Sequence, residues 1–235
     1  MTLIKSKPVH NGSGNPRFLS ESSERCLEEL MVPRRVKEGC YVFMEGEAAD
    51  KLYFVKSGTL KLVKTTAGGK EMILQLLRGG DFYGELGGPE PLRFGFHGIA
   101  LTDVTVGVVS LESLEQLIRT RGDFAVEFLK WSGMVQRALQ AKVRDLVLYG
   151  KNGAMASTLL RLAESCGKPG PRGIKVSLRL TNTELAQMIG STRENVNRML
   201  SGFKMEGVID CDHGELIIKD MAYLQSMVCG SDSLL

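Results

Sequence analysis

The feature that most constrains the fold of this chain is a pair of helix-start signals ten residues apart, at Thr181 and Ser191. Thr181 to Glu184 and Ser191 to Glu194 both fit S/T-x-x-E. In this capping box a hydroxyl and a carboxylate bond free backbone N–H groups at the helix start. Gly190 stands between the two signals and permits the left-handed backbone with which helices often end. Two capped helices joined by a glycine turn predict a helix-turn-helix.

The second predicted helix has polar side chains suited to contacts with DNA. Val196, Met199 and Leu200 have the spacing of a buried helix face, so the other side chains near the helix start point outward. Arginine can bond guanine with two donors, glutamate can accept from cytosine, and asparagine can bond adenine or a phosphate. We predict DNA contacts from Arg193, Glu194, Asn197, Arg198, Ser191 and Thr183. The alternative is a winged helix that binds another protein.

The distribution of charge agrees with this prediction. The chain has 235 residues and a net charge of +3, which by itself does not indicate a nucleic-acid partner. Between Lys151 and Lys204, however, nine basic side chains stand against three acidic ones. Such a segment is either a phosphate-binding surface or a solvated basic face.

The segment before the helices is typical of a small β-domain. From Arg34 to about Ser110, short apolar runs such as Lys51 to Val55 alternate with glycines. Strands separated by turn residues at this spacing predict an antiparallel sandwich or barrel. We assign residues 17–110 to this domain and residues 1–16, which lack periodicity, to a mobile tail.

A long helix is predicted over residues 111–149, with a break near Arg121 and Gly122. Its apolar face advances by three or four residues through Phe128, Trp131, Val135, Leu139, Val143 and Leu146. Because such a helix outreaches one small domain, we predict that this face packs on a second copy in a parallel dimer. The alternative is that the face covers the β-domain.

Residues 150–235 form the predicted DNA-binding domain. Gly150 to Gly153 reads as a hinge, and a helix from Ala154 to Cys166 follows it. Val176 to Leu180 alternates as a strand does, and a hairpin is predicted around Asp212 to Gly214. The fold class is therefore α+β, with a winged helix-turn-helix at its C-terminal end.

Several classes of protein are excluded by what the sequence lacks. The five cysteines are odd in number and scattered, without a C-x-x-C pair, so neither a disulfide framework nor a structural zinc site is expected. No apolar run is long enough to span a membrane, and we expect a cytoplasmic protein. No catalytic spacing is present, so we expect no enzymatic activity.

Three blocks of sequence resemble the CRP/FNR superfamily of bacterial transcription regulators. The blocks are Glu45 to Gly58, Gly80 to Leu86 and Leu185 to Arg198. Three other segments look most like the Gram-positive Fnr branch of this superfamily: Lys142 to Leu146, Gly150 to Ala154 and Ser157 to Leu159. The resemblance implies a cyclic-nucleotide-binding-type β-roll, a central dimerisation helix and a winged helix-turn-helix. It also implies a homodimeric activator, with RNA polymerase as a partner, that binds a TGTGA-like palindrome in double-stranded DNA under effector control or constitutively. The alternative is a cyclic-nucleotide-binding or redox-sensing module that acts through protein partners.

The resemblance leaves the effector open. In relatives that bind cyclic AMP, an arginine followed by serine or threonine holds the phosphate and the glutamate of Gly-Glu-Leu holds the ribose. The corresponding effector pocket here is Gly84, Glu85, Leu86 and Arg93, but Phe94 follows the arginine. The Fnr branch implies an iron–sulfur cluster with Asp145, Cys211 and Cys229 as candidate ligands, although such a cluster normally takes three thiolates. Haem bound at His97, sensing by a reactive thiol, and DNA binding without any ligand stay open as well.

Overall fold

The computed structural model describes residues 19–87, 91–212 and 214–228. They form two compact units that divide between Met134 and Val135. The predicted mobile tail, residues 1–16, lies outside the described residues.

The described part of the first unit is an antiparallel β-roll flanked by helices. Its elements in chain order are α1 (Glu21–Leu30), β1 (Val32–Val36), β2 (Tyr41–Phe43), β3 (Lys51–Ser57), β4 (Thr59–Thr65), β5 (Glu71–Arg78), β6 (Phe82–Tyr83), β7 (His97–Ala100), β8 (Val104–Ser110) and α2 (Leu111–Thr120). Here the strands form two four-stranded sheets, in the orders β1-β8-β3-β6 and β2-β7-β4-β5. The predicted antiparallel β-domain is confirmed.

Gly58 shows why a glycine separates two of the predicted strands. Gly58 turns the chain from β3 into β4 with a φ of +82°, and a Cβ at this position would lie 2.2 Å from the carbonyl oxygen of Asp103. Any side chain would therefore be strained and would also collide with backbone.

The long helical region breaks where the sequence indicates. Helix α2 ends at Thr120, Arg121 has an extended backbone, and α3 (Gly122–Leu148) follows. The first turns of α3 contribute to the core of the first unit, since Phe128 and Trp131 are buried. Their rings lie 5.8 Å and 5.0 Å from that of Phe82 in β6. Phe128 and Trp131 thus cover the β-roll of their own chain, which was the alternative to packing on a second copy.

The second unit is a winged helix-turn-helix attached to the last turns of α3. Its further elements are α4 (Gly150–Cys166), β9 (Gly167–Gly170), β10 (Gly173–Val176), α5 (Asn182–Ile189), α6 (Arg193–Met205), β11 (Ile209–Asp212), β12 (Glu215–Ile218) and α7 (Met221–Ser226). The described strands pair antiparallel in the order β11-β12-β10-β9. The predicted hairpin is confirmed in β11 and β12, and His213 in its turn lies outside the described residues.

Two local predictions for this unit were wrong. The strand predicted from Val176 to Leu180 ends at Val176, because the backbone N–H and the hydroxyl of Ser177 both donate to the Cys166 carbonyl and turn the chain away. The predicted hinge from Gly150 to Gly153 is the first turn of α4. Gly153 serves close packing there, since a Cβ would lie 2.2 Å from that of Tyr149.

Within the described residues, no helix has the length and apolar character needed to cross a membrane.

Candidate nucleic-acid interface and effector pocket

Helix α5 begins and ends as its sequence predicts. The Thr181 hydroxyl accepts from the backbone N–H of Glu184 at 3.1 Å, and the Glu184 carboxylate accepts from the N–H of Thr181 at 2.9 Å. This reciprocal capping box fixes the first turn. Gly190 ends the helix with a φ of +61°. The chain then turns directly into α6, so the predicted helix-turn-helix is confirmed.

The start of α6 is one residue later than predicted. Thr192 is the N-cap and its hydroxyl accepts from the N–H of Asn195, so the second capping box, which placed Ser191 at the cap, was wrong. The reason is that the N–H of Ser191 still bonds to the carbonyl of Ala186 in α5. Thr192, directly before α6, has an extended backbone. The Ser191 hydroxyl is buried and has no hydrogen-bond partner among the described residues.

The polar side chains named from the sequence lie together on the outer face of the motif. All but Ser191 are exposed: Thr183, Arg193, Glu194, Asn197 and Arg198. On the opposite face Val196 is buried, and Met199 and Leu200 are half-buried. The first turn of α6 thus presents a cation and an anion side by side.

The carboxylate of Glu194 is held in its charged form. Its pKa lies below the usual value, first because it accepts from its own backbone N–H and second because it accepts from the Thr192 hydroxyl. At neutral pH this side chain is therefore an acceptor only, which is the character that a cytosine amino group requires.

Two asparagines that the sequence analysis did not single out contact the predicted DNA-binding residues. The amide of Asn182 in α5 donates to the side-chain oxygen of Asn197 at 2.5 Å. Arg198 donates to the side-chain oxygen of Asn195, one turn earlier in α6. Asn197 therefore presents mainly its amide donors to a ligand, and Arg198 lies along its own helix. Only the folded pairing of α5 with α6 brings Asn182 and Asn197 together.

A cavity of about 540 Å³ adjoins this face. Its lining residues are Lys151, Asn152, Asn195, Arg198, Met199, Gly202, Phe203, Glu206, Tyr223 and Met227. Lys151 and Asn152 belong to the first turn of α4, where free backbone N–H groups favour anions. Lys151 belongs to the basic segment of the sequence but falls in the predicted hinge, so its position in the lining of the same cavity as Arg198 is not predicted.

In the first unit, the two charged residues of the predicted effector pocket, Glu85 and Arg93, are bonded to other groups of the β-roll. One carboxylate oxygen of Glu85 accepts from the Tyr83 hydroxyl at 2.8 Å and from the N–H of Gly95 at 3.3 Å. Arg93 is exposed and donates to the Gly46 carbonyl at 2.7 Å. Gly84 lies against β3, where a Cβ would approach Leu52 to 3.0 Å, and Leu86 is exposed.

The interior of the β-roll beside Glu85 is filled with aromatic rings. The ring of Phe94 is 2% exposed and lies 4.4 Å from that of Phe43, 5.9 Å from that of Tyr53 and 6.1 Å from that of Tyr83. Burial, and then the bond to Glu85, raise the pKa of Tyr83, so its hydroxyl stays a neutral donor. Phe94 follows Arg93, where the resemblance to regulators that bind cyclic AMP implies a serine or threonine hydroxyl. With this position apolar and Arg93 engaged, these residues do not fit a cyclic nucleotide phosphate.

The two candidate cluster ligands that the structure describes, Asp145 and Cys211, do not fit an iron–sulfur cluster. The Asp145 carboxylate is buried and accepts from Arg144, Ser157 and Arg161. Cys211 is exposed on β11, and Cys229 lies outside the described residues. Across the ranges that the structure describes, no group of three His, Cys, Asp or Glu side chains is arranged to hold a metal ion. At His97, the Nδ1 atom accepts from the Glu45 backbone at 3.1 Å, a packing role.

Comparison with known proteins covers both units. Residues 33–121 match the cyclic nucleotide-binding domain family and residues 153–227 match the Crp-like helix-turn-helix domain family. The anaerobic regulatory protein of Bacillus subtilis is 36% identical over 210 residues, which is 88% of each chain. The cAMP-activated global transcriptional regulator CRP of Salmonella typhimurium is 32% identical over 179 residues, 74% of this chain and 82% of that one.

Solved structures share the fold at lower identity. FixK2 from Bradyrhizobium japonicum aligns with a TM-score of 0.75 at 19% identity, over 84% of this chain and 96% of that one. A CooA mutant from Carboxydothermus hydrogenoformans aligns with a TM-score of 0.73 at 23% identity, over 86% and 89%.

Proposed function

The chain belongs to the CRP/FNR family of transcription regulators, which is not a family of enzymes, and we propose that it binds a TGTGA-like palindrome in double-stranded DNA as a homodimer. The observation that carries this proposal is the exposed pair Arg193 and Glu194 in the first turn of α6. This is the part of a recognition helix that enters the major groove and contacts base edges.

The two side chains have complementary tasks. Arg193 donates two hydrogen bonds to the O6 and N7 atoms of a guanine, and the ionised Glu194 accepts from a cytosine amino group. Arg198, one turn further along, contributes a third base contact, and Asn197 donates to a base or a phosphate. Each bidentate contact discriminates against a wrong base by about 1 to 3 kcal/mol.

The surroundings of α6 supply contacts to the DNA backbone. Lys151 and Asn152, in the first turn of α4, line the same cavity as Arg198, and Thr183 is exposed at the start of α5. Together these groups bind phosphates and hold α6 in register with the groove, without selecting a sequence.

The dimer contact lies on the part of α3 that belongs to the second unit. Leu139, Val143 and Val147 follow one another at four-residue spacing and are 42%, 60% and 73% exposed. A second copy of the chain is the occupant that fits, because an apolar helix face of this spacing packs well on itself and a palindrome presents two equal half-sites. Val135 and Leu146 are half-buried at the edge of this face. Phe128 and Trp131, which the sequence places on the same apolar stripe, are core residues of the first unit.

The effector proposal follows from the filled β-roll. With Phe94 in the interior and Arg93 bonded to Gly46, the dimer binds its palindrome without cyclic AMP. Because the family regulates transcription, we also propose that the protein contacts RNA polymerase and that it is cytoplasmic.

The test is fluorescence anisotropy with a labelled TGTGA-N6-TCACA duplex and a scrambled duplex of equal length. R193A and E194A each weaken binding to the palindrome by about 1 to 3 kcal/mol and leave binding to the scrambled duplex unchanged. The matched control is R119A, which removes an exposed arginine from α2 that pairs only locally with Glu115. Equal losses on both duplexes would contradict base recognition. Absence of DNA binding by the wild type would favour a module that acts through protein partners.

A further inference from the structure

Asp145 is the least exposed charged residue in the part of the chain that the structure describes. It lies in the last turn of α3 and is 2% exposed. One carboxylate oxygen accepts from Nε and Nη2 of Arg144, at 3.1 Å and 2.8 Å. The other accepts from the Ser157 hydroxyl and from Nη1 of Arg161, the latter at 3.0 Å. The carboxylate is thus bonded to its own helix on one side and to α4 on the other.

This arrangement stabilises the charged form of the acid. Burial by itself raises the pKa of Asp145, but the hydrogen bonds from Ser157, Arg144 and Arg161 outweigh it and hold the pKa below its usual value. Removing one donor is costly, because the carboxylate stays buried with fewer hydrogen-bond partners.

The donors on the α4 side of the cluster are also bonded to one another and to their own helix. Nη1 of Arg161 also donates to the Ser157 hydroxyl at 2.5 Å, and Nη2 donates to the Thr158 hydroxyl at 3.2 Å. Thr158 in turn donates to the Ala154 carbonyl at 2.8 Å. The donors therefore hold fixed positions on two turns of α4, and α4 packs against α5 of the helix-turn-helix.

We propose that Asp145 is a positioning residue, which fixes α4 and the recognition helix beyond it at a set angle to the dimer face of α3. The inference rests on the proposed function, because it assumes that Val143 and its neighbours contact a second copy. Asp145 lies two residues after Val143 and two before Val147, so the apolar contact and the polar corner belong to the same two turns. The spacing between the two recognition helices then depends on this corner.

This role differs from the metal-ligand role that resemblance implies for Asp145. Both carboxylate oxygens are already bonded within the corner, and the positive charges of Arg144 and Arg161 surround them. Lys142 adds a third positive charge nearby, and its pKa falls to about 8 through burial and the charge of Arg161. Loss of the Asp145 charge removes the anion that lies among these cations.

The test compares palindromes whose half-sites are separated by different spacers. Wild type, D145N and S157A are titrated with TGTGA duplexes carrying spacers from four to eight base pairs, and with a single half-site. D145N keeps the shape of the side chain and removes its charge. D123N is the matched control, since Asp123 is an exposed aspartate that pairs with Arg121 in the first unit.

We expect wild type and D123N to prefer one spacer by about tenfold or more, because a rigid dimer engages two half-sites only at the matching distance. D145N loses that preference while its affinity for the single half-site stays within about twofold, and S157A shows a smaller loss in the same direction. Far-ultraviolet circular dichroism, thermal melting and sedimentation velocity report whether each variant is folded and dimeric.

A folded D145N that keeps the wild-type spacer preference would overturn the inference, and so would an equal loss on every duplex including the half-site. If D145N does not fold, S157A and R161Q decide by the same criterion. Absence of sequence-specific binding by the wild type would instead refute the proposed function, and the inference with it.

Discussion

Replacing Phe94 by alanine tests whether the interior of the β-roll is filled by the chain's own side chains. The ring is 2% exposed and its centre lies 4.4 Å from that of Phe43. Deleting a buried phenyl group costs about 3 to 5 kcal/mol, through lost transfer free energy and the cavity left behind. The close ring pair adds about 0.5 to 1.5 kcal/mol beyond area burial. We therefore expect F94A to lose about 4 kcal/mol of unfolding free energy.

The assay is urea unfolding followed by tryptophan fluorescence. Trp131 is the only tryptophan in the sequence, and its ring lies 5.0 Å from that of Phe82, so its emission reports on the first unit. F94L keeps most of the volume and costs less than about 1.5 kcal/mol. F96A is the matched control, because Phe96 is two residues away and only half-buried.

The reasoning is refuted if F94A costs no more than F96A, about 1 kcal/mol or less. That outcome would mean that Phe94 lies in a space which water can fill, and that the roll has room for a ligand.

Four further predictions follow from the same structure. V143E places a charge on the dimer face and yields monomers in sedimentation velocity, whereas V32E, at an exposed valine of β1, stays dimeric. The same oligomeric state for both variants would contradict the assignment of the dimer face. K151M weakens binding to all duplexes alike and lowers the slope of log affinity against log salt by about 1, since one phosphate contact is lost. Cyclic AMP at millimolar concentration leaves the melting temperature of the wild type unchanged, whereas a bound ligand would raise it. Burial raises the pKa of Asp81 from 3.8 to about 6, so between these pH values the folded state binds the proton more tightly, and the stability of the wild type falls as pH rises. D81N lacks that fall. Parallel stability–pH profiles of wild type and D81N in urea unfolding would contradict this prediction.

The helix-turn-helix could be predicted in detail because its determinants are local. The capping box at Thr181 needs only Glu184, three residues away, and the backbone of Gly190 follows from the residue type. The one-residue error at α6 has a backbone cause. Ser191 fits the capping pattern through Glu194, whereas Thr192 is followed three residues later by Asn195 and does not fit it. The bond from the N–H of Ser191 to the Ala186 carbonyl, which forms only in the folded chain, leaves Thr192 as the cap.

The face of α3 could be predicted only in part. A spacing of three and four residues identifies an apolar stripe but not its partner, since a β-roll and a second helix accept the same pattern. Phe128 and Trp131 pack on Phe82, whereas Val143 and Val147 are exposed. The division arises because β6 meets only the first turns of the helix.

The filled pocket and the Asp145 corner could not be predicted at all. Phe43, Tyr53, Tyr83 and Phe94 are separated by ten or more residues, and only the pairing of the strands brings their rings together. Asp145 meets Ser157 and Arg161 because α4 folds back beside α3. The sequence shows that these residues are charged, polar or aromatic, but it does not show that they are neighbours in the fold.

The most direct test of sequence-specific binding is the ratio of wild-type affinities for the TGTGA palindrome and for a scrambled duplex, measured without cyclic AMP at physiological salt. We predict a ratio of about 10³ or more, as in proteins that contact base edges. Equal affinity for the two duplexes would contradict recognition of base edges by α6.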